Sequence, residues 1–253
     1  MLAKQFKVDK LNVSVSVNRK EMGEKAAVQF YNAVKERLSK QEHLNIVFAA
    51  APSQNEFLEA LKNYDIEWDR INVFHMDEYV GLSIDKQQSF ARFVKQMVVD
   101  KFPVRNFYAI NGANSNAQEE CARYTKLLKD KPIDIVCCGI GENGHLAFND
   151  PCNADFFDIE CVKTVELDQL CRQQQVNDGC FEKLQDVPTH AITVTMPALL
   201  RAKEVICVVP AKSKANAIQA TLKKEIDVSC PASILRIHNN AYLYCDFDSA
   251  SKI

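Results

Sequence analysis

Short apolar runs alternate along this chain with longer segments in which apolar residues recur at helical spacing. Each run is five or six residues long and is flanked by loops; the runs cover Asn45 to Ala50, Ile71 to Met76, Ile133 to Cys138, His190 to Thr195, Glu204 to Val209 and Ala241 to Cys245. Runs of this length that are rich in Val and Ile are typical of strands buried on both faces of a parallel sheet.

The segments between the runs predict amphipathic helices, because their apolar side chains return to one face every three or four residues. The positions are Ala27, Phe30, Tyr31, Val34 and Leu38, then Phe90, Phe93, Val94, Met97 and Val98, and more weakly Cys121, Tyr124 and Leu128. Strands that alternate with helices indicate βαβ units with right-handed crossovers. We therefore expect a single α/β domain over residues 1–253. Its sheet should be open, mostly parallel and doubly wound, with helices on both faces, as in Rossmann-like proteins.

The least regular stretch of the sequence is residues 150–186. Its apolar periodicity fades and polar side chains crowd together, notably Gln173, Gln174 and Gln175. We expect this stretch to be a lid segment within the domain rather than a domain boundary.

Composition and charge exclude several classes of function. The chain carries 31 basic and 33 acidic residues, so it has no overall field that would attract DNA or RNA. Its first twenty residues lack the apolar run of about 7 to 15 residues found in a secretory signal, and no apolar stretch approaches the roughly 18 residues that span a bilayer. We therefore expect neither a nucleic-acid nor a membrane partner, and a cytoplasmic location.

The ten cysteines predict buried apolar side chains rather than a metal site. None of them forms a Cys-x-x-Cys pair, and the adjacent Cys137 and Cys138 point to opposite faces of a strand. Reduced thiols are among the most buried side chains in proteins. We therefore expect no metal.

Polar or glycine-rich loops follow four of the predicted strands, at the edge where ligands bind in open α/β sheets. These loops are Asp77-Glu78-Tyr79, the stretch from Gly139 to His145, Ala51-Pro52-Ser53-Gln54, and the stretch from Pro210 to Lys214. One edge of the sheet should therefore present a carboxylate, an imidazole, a hydroxyl and an ammonium group.

Three of the seven glycines in the whole chain lie within six positions, at Gly139, Gly141 and Gly144. A Gly-x-Gly-x-x-Gly pattern after a strand is also the dinucleotide fingerprint. Here Pro151 follows before a long crossover helix can form. We therefore favour a loop that presents His145 for proton transfer, with a nicotinamide site as the alternative.

His145 and Asp77 each have a structural alternative. An imidazole can exchange a proton at neutral pH, and Asn143 and Asp150 are close enough in sequence to fix its tautomer, but His145 could instead merely tie the loop together. Asp77 follows a buried strand and could cap a helix; its functional alternative is a general base whose pKa is raised by burial.

Three cations are candidates for binding an anion. Lys214 lies at the start of the helix that Ala215, Ile218 and Leu222 predict, where a cation is slightly unfavourable unless an anion lies nearby. Lys212 shares that argument, and Arg172, in the polar stretch, could close on the same anion. Solvation or a surface salt bridge is the alternative for all three.

Two long motifs, Phe74 to Leu82 and Gly139 to Pro151, closely resemble those of the glucosamine-6-phosphate deaminase (isomerase) family, and the order of motifs matches across nearly the whole chain. Arg172, the pair Lys214-Ala215 and the stretch from Pro231 to Leu235 resemble further motifs of that family. The sister enzyme 6-phosphogluconolactonase shares the glycine loop, but its motifs resemble Asp-Glu-Arg rather than Asp77-Glu78-Tyr79, which favours the deaminase branch.

The resemblance implies an enzyme of amino-sugar metabolism that converts glucosamine 6-phosphate, or its galactosamine epimer, to a ketose 6-phosphate and ammonia without metal or organic cofactor. It implies that His145 opens the sugar ring with Asn143 and Asp150, and that Asp77 moves the C2 proton to C1. It also implies that Ser53, Arg172 and Lys214 hold the phosphate. The partner would be a small sugar phosphate, and a monomer and a homo-oligomer both remain open.

The chain departs from the family pattern at three places. Residues 49–53 contain no glycine where the family has Gly-Gly, so their backbone can approach a phosphate less freely. Asp150 replaces a glutamate, and Arg172 lies in Cys-Arg-Gln-Gln-Gln without the family's threonine and asparagine. A catalytically silent sugar-phosphate sensor is the remaining alternative, although the first predicted strand begins near residue 11 and leaves no room before it for a DNA-reading segment.

Overall fold

The computed structural model of this protein describes residues 4–177 and 179–253. The strands are β1 (Lys4–Val8), β2 (Leu11–Ser16), β3 (Leu44–Phe48), β4 (Ile71–His75), β5 (Asp77–Tyr79), β6 (Asn106–Tyr108), β7 (Ile135–Cys138), β8 (Val162–Glu166), β9 (His190–Val194), β10 (Glu204–Val209) and β11 (Ala241–Asp246). The helices are α1 (Arg19–Leu38), α2 (Asn55–Ala60), α3 (Phe90–Val94), α4 (Ala117–Asp130), α5 (Gln169–Asn177), α6 (Met196–Leu200) and α7 (Ala215–Lys223).

The main sheet has eight strands in the order β1-β2-β11-β10-β7-β3-β4-β6. Only the edge strand β1 runs antiparallel, to β2; every other pairing in this sheet is parallel. The chain moves outward from the centre in both directions, which is the doubly wound topology that the alternation of strands and helices predicts. The α/β fold class is confirmed.

Apolar side chains fill both faces of this sheet. In β3, Ile46 and Phe48 pack into one core with α1 and α2, whereas the intervening Val47 packs into another core with α4 and α7. Successive side chains of a strand point to opposite faces, so a run with no polar interruption requires a helical layer on each side. The apolar runs therefore place the sheet at the centre of three layers.

A second, smaller sheet corrects one expectation. The run His190 to Thr195 was expected in the parallel sheet, but β9 pairs antiparallel with both β5 and β8 in a separate three-stranded sheet. Its neighbour β8 and the helix α5 both lie within residues 150–186, which the sequence predicted to be irregular. This sheet stands over the carboxyl end of the main sheet because β5 follows β4 after only Met76.

Eight of the ten cysteines are buried, as the composition predicted; Cys152 is exposed and Cys180 is partly exposed. Among the described residues, no helix combines the length and the apolar character needed to cross a membrane.

Candidate active site

A cavity of about 220 Å³ opens where β3, β4, β7 and β10 end. It is lined by Arg19, residues 49–53, Met76, Asp77, Phe90, residues 139–141, His145, Ala147, Phe148, Gln174, Gln175, Cys180, Pro210, Ala211, Ser213 and Lys214. The polar loops that follow four strands in the sequence therefore meet around one cavity, which is the placement that a parallel sheet predicts.

Asp77 lines this cavity as the first residue of β5, where it pairs with Thr193 of β9. It is buried, with 7% of its surface exposed, and among the described residues its carboxylate accepts no hydrogen bond. A strand rather than a helix follows Asp77, so the geometry does not support the capping alternative.

Its neighbour Glu78 is the residue that caps a helix. The Glu78 carboxylate accepts hydrogen bonds from the Ser89 hydroxyl at 2.6 Å, from Ala91 N at 2.9 Å and from Phe90 N at 3.2 Å, all at the start of α3. It thereby satisfies backbone donors that a helix leaves free at its first turn. Two adjacent carboxylates on opposite faces of β5 thus have different environments.

Burial raises the pKa of Asp77 well above its usual value, and the nearby carboxylates of Glu78 and Asp150 raise it further. The backbone of Asp77 is fixed by His75, whose Nδ1 lies 2.9 Å from the Asp77 carbonyl oxygen while its Nε2 accepts from Ile110 N at 2.8 Å. Burial lowers the pKa of His75 to about 4. His75 is therefore neutral near pH 7, and its Nδ1–H donates to Asp77.

The glycine loop places His145 against Asn143 and Asp150. His145 Nδ1 lies 2.8 Å from both Asn143 Oδ1 and Asp150 Oδ1, and Asn143 Nδ2 donates to Asp150 Oδ1 at 2.7 Å. Gly141 stands directly over the imidazole: a Cβ there would overlap the His145 ring. The arrangement fixes the ring and directs the proton on Nδ1 toward the carboxylate.

Asp150 is completely buried. Burial acts to raise its pKa, but the hydrogen bonds of His145, Asn143 and Cys171, together with the positive charge that His145 carries when it is protonated, outweigh that effect, and the pKa is lowered. His145, Asp150 and Cys171 have potential ligand atoms within 4.8 Å of one another, close enough to share a metal ion. Because Nδ1 and the carboxylate already lie at a hydrogen-bond distance, we assign them as a hydrogen-bonded pair.

Backbone strain marks the rim beside His145. Ala147 lines the cavity with φ of 52°, a left-handed conformation that side chains other than glycine rarely adopt. Asn149 holds this turn, because its Nδ2 donates to Leu146 O and to Val194 O, both at 2.9 Å. The strained turn is thus fixed to the small sheet.

The loop after β3 contributes Ser53 and the buried Gln54. Gln54 Nε2 lies 3.0 Å from Ser53 Oγ and 3.3 Å from both Cys138 O and Val208 O. One amide therefore joins this loop to the ends of β7 and β10 and holds the Ser53 hydroxyl beside Gly139.

The loop after β10 brings Lys214 to the cavity, as the sequence predicted, while Lys212 is exposed outside the lining. Ala211 has φ of 82° here, and its N–H donates to the Asp246 carboxylate at 3.1–3.2 Å. Asp246 ends β11, the neighbouring strand, so a second strained backbone position borders the cavity.

Arg172 is placed differently from the expectation. Its Nη2 donates to Leu184 O at 2.7 Å and to Val187 O at 2.9 Å, and Arg172 is not among the residues that line the cavity. The carbonyl groups of Leu184 and Val187 take the place of the expected anion.

Other lining residues were not predicted from the sequence. Arg19 lies at the start of α1, far from every motif, and Gln174 and Gln175 were noted only as part of a polar stretch. Gln174 Oε1 accepts from Glu142 N at 3.2 Å, which connects α5 to the glycine loop. The three consecutive glutamines at 173–175 were the sequence signal for this contact. No sequence signal marked Arg19 as a lining residue.

Comparisons with known proteins identify the family of this chain. Residues 17–244 match the family model described as glucosamine-6-phosphate isomerases/6-phosphogluconolactonase. A glucosamine-6-phosphate deaminase of Bacillus cereus strain B4264 is 32% identical over 241 residues, which cover 95% of this chain and 88% of that protein. The corresponding deaminase of Listeria innocua is 35% identical over 209 residues, 82% of this chain and 87% of that protein.

Solved structures show the same fold. A monomeric glucosamine-6-phosphate deaminase superposes with a TM-score of 0.83 at 25% identity, covering 95% of this chain and 99% of that one. The 6-phosphogluconolactonase of Thermotoga maritima superposes with a TM-score of 0.76 at 17% identity, over 94% and 100% of the two chains. The chain therefore belongs to the glucosamine-6-phosphate isomerase/6-phosphogluconolactonase family.

Proposed function

We propose that this protein is an amino-sugar-phosphate deaminase that converts glucosamine 6-phosphate, or galactosamine 6-phosphate, to a ketose 6-phosphate and ammonia. The observation that carries the proposal is that Asp77 and His145 line one cavity, the first as a buried carboxylate to which no residue of the described part of the chain donates and the second as a fixed imidazole. Relatives that are 32% and 35% identical are named glucosamine-6-phosphate deaminase, which supports this branch of the family.

His145 is the proposed base for opening the sugar ring. With the proton on Nδ1 directed at Asp150, the lone pair is on Nε2, to which no described residue donates. Nε2 takes the proton of the sugar's anomeric hydroxyl, the bond between C1 and the ring oxygen breaks, and the imidazolium gives the proton to the ring oxygen, which leaves the open-chain aldehyde. The Asp150 carboxylate and the Asn143 amide stabilise the imidazolium that forms.

Asp77 is the proposed base for the next step. It removes the proton from C2, which is acidified by the C1 aldehyde, and returns it to C1 through an enediol-like intermediate, while a proton of the C2 ammonium group passes to the aldehyde oxygen to make the C1 hydroxyl. Water then adds to the resulting C2 iminium group, which releases ammonia and leaves the ketone. Burial disfavours the ionised form of the Asp77 carboxyl and raises its pKa. The ammonium group on C2 of the substrate offsets this effect, because an adjacent positive charge favours the carboxylate. These steps use water and acid–base groups alone.

Ser53 and Lys214 are the proposed phosphate ligands in the conformation described above. For Arg172 to join them, its bonds to Leu184 and Val187 must break. We therefore propose that Arg172 contributes when residues 150–186 close over the substrate as a lid. Closure would remove water from around Asp77, and binding energy from the distant phosphate would favour it.

The test is to incubate the purified protein with glucosamine 6-phosphate and with galactosamine 6-phosphate and to measure the ammonia and the ketose phosphate that are released. The expected result is stoichiometric release of both products from at least one epimer. A parallel assay with 6-phosphogluconolactone separates the two activities of the family, since its hydrolysis in the absence of deamination would make the protein a lactonase. Sugar-phosphate binding with neither activity would instead make it a sensor.

A further inference from the structure

Arg19 is a cavity-lining cation outside every motif of the sequence. It is the first residue of α1, and 39% of its side chain is exposed. Among the described residues that line the cavity, the arginine and lysine side chains are Arg19 and Lys214. The cavity therefore has a second fixed positive charge beside the one that the sequence predicted.

The guanidinium of Arg19 is held from one side. Nε donates to Glu56 Oε1 at 2.7 Å, and Nη2 donates to Glu56 Oε2 at 2.9 Å and to Pro52 O at 3.0 Å. These bonds use three of the five N–H groups of a guanidinium and leave the two on Nη1. Because a bidentate pair with a carboxylate fixes the plane of the group, Nη1 has a defined position before any ligand arrives.

Half of the positions in the loop beside Arg19 have no backbone donor to offer an anion. Within residues 49–54, Ala49 N donates to Cys137 O and Gln54 N donates to Ala51 O, and Pro52 has no N–H. Arg172 is bound to the carbonyls of Leu184 and Val187. Side-chain donors therefore supplement the backbone N–H groups that remain in this loop when an anion binds at this end of the cavity.

We propose that Arg19 is a phosphate-binding residue, which donates from Nη1 to the phosphate of the substrate together with Ser53 and Lys214, and that Glu56 is its positioning residue. The identity of the substrate in this inference rests on the proposed function. The binding of phosphate by Arg19 does not.

The acidic residues around Arg19 limit the negative charge of the ligand that the proposed phosphate site can bind. Glu56 pairs with Arg19 directly, and Asp246 is near enough for its charge to act on the guanidinium. Both carboxylates already have donors, Glu56 from Arg19 and Asp246 from the N–H groups of Ala211 and Ser249. The two cations Arg19 and Lys214 are thus balanced by two carboxylates, and the site offers directed donors with little net charge, which suits one phosphate better than a chain of several phosphates.

The test is titration calorimetry of the full chain with inorganic phosphate. Wild type is compared with Arg19→Met, Arg19→Lys and, as the matched control, Lys20→Met, which removes the same charge from the next residue, an exposed one outside this cavity. We expect Arg19→Met to weaken phosphate binding roughly ten- to a hundredfold, since hydrogen bonds to charged groups are lost. Arg19→Lys should give an intermediate loss, because lysine keeps the charge but not the fork. Lys20→Met should bind phosphate as wild type does.

Kinetics give a second readout. If the protein deaminates glucosamine 6-phosphate, Arg19→Met should raise KM by a similar factor and change kcat by less than about threefold, because the phosphate is remote from the reacting carbons. Thermal melting of each variant checks the fold, and Arg19→Lys serves if Arg19→Met is unstable.

The outcomes separate the two proposals. Phosphate binding by Arg19→Met within twofold of wild type, or an equal loss in Lys20→Met, would overturn the role of Arg19. If no amino-sugar phosphate is deaminated but Arg19→Met still loses phosphate affinity, the proposed reaction fails and the phosphate site stands. If deamination occurs and Arg19→Met binds and reacts as wild type does, the reaction stands and the role of Arg19 fails.

Discussion

The two sides of the cavity are built by different means. The proposed catalytic side, formed by Asp77, Gly141, His145 and the buried Asp150 behind them, holds its groups by buried hydrogen bonds and close packing. The proposed anion side, formed by Arg19, residues 49–54 and residues 210–214, contains an ion pair that is partly exposed. Burial on the catalytic side shifts pKa values strongly, whereas exposure on the anion side lets solvent screen its charges.

Substitutions on the two sides should therefore change different kinetic constants. A change on the catalytic side alters protonation states and the geometry of reacting groups, so it should act on kcat. A change on the anion side removes a donor from a site that already contains several, so it should act on KM and in smaller steps.

The largest effect is expected for Asp77→Asn. An amide cannot take the C2 proton, so kcat should fall by about 10²–10⁴-fold, the usual contribution of a general base. The melting temperature should stay the same or rise. Folding raises the pKa of Asp77, so the contribution of this carboxyl to stability is fully present below its unfolded pKa and is lost as pH rises. Near pH 7, substitution by asparagine therefore removes a group that destabilises the folded state. Ammonia release and thermal melting are the measurements.

The matched control is the adjacent Glu78→Ala. Because Glu78 caps α3 through Ser89, Phe90 and Ala91, its loss should lower the free energy of unfolding by about 1–3 kcal/mol. A large drop in the melting temperature of Asp77→Asn instead would assign Asp77 a structural role.

Gly141→Ala should have the next largest effect. The new methyl would overlap the His145 ring, which has to shift away from Asp150. We expect roughly a hundredfold lower kcat and a loss of about 1–3 kcal/mol from overpacking. Gly81→Ala is the control: Gly81 has φ of 86° and open space around its Cα, so it should lose stability through backbone strain alone. Equal losses of kcat in the two variants would contradict the packing of His145 against Gly141.

The pH dependence of kcat/KM should show the raised pKa of Asp77. As pH falls, Asp77 gains a proton and activity is lost, and because burial raises this pKa the acidic limb should lie well above pH 3.8. Glu78→Gln removes a neighbouring negative charge and should move the limb to lower pH. An acidic limb near that of an exposed aspartate would show that Asp77 is not the titrating base.

The fold and the catalytic side were largely predictable from the sequence for a physical reason. A buried parallel strand must be continuously apolar, and the polar residues that follow it must lie at the carboxyl edge, so the placement of Asp77 and His145 at this edge could be predicted from their positions. Their proposed roles come from the family resemblance. The strand β9 was misplaced because an apolar run does not specify which sheet it joins; its partners β5 and β8 are short or partly polar.

The anion side was less predictable because it depends on pairs that are distant in sequence. Arg19 is positioned by Glu56, 37 residues away, and the N–H of Ala211 by Asp246, 35 residues away. Arg172 was assigned to this side from its motif, but the carbonyls that bind it in the described structure carry no sequence signature. Local patterns give the direction of a strand, not the partner of a long charged side chain.

The smallest effect is expected for Ser53→Ala. The Ser53 hydroxyl lies 3.0 Å from Gln54 Nε2, which also reaches Cys138 O and Val208 O, so the loop stays attached to both strands when the hydroxyl is lost. One hydrogen bond to the charged phosphate is worth about 1.5 kcal/mol, which corresponds to a KM about tenfold higher at unchanged kcat. Steady-state kinetics with glucosamine 6-phosphate would measure it, and Ser83→Ala, in a loop outside the cavity, should leave both constants unchanged. A large fall in kcat for Ser53→Ala would mean that the two sides of the cavity do not act separately, since the loop would then be positioning the reacting carbons as well as the phosphate.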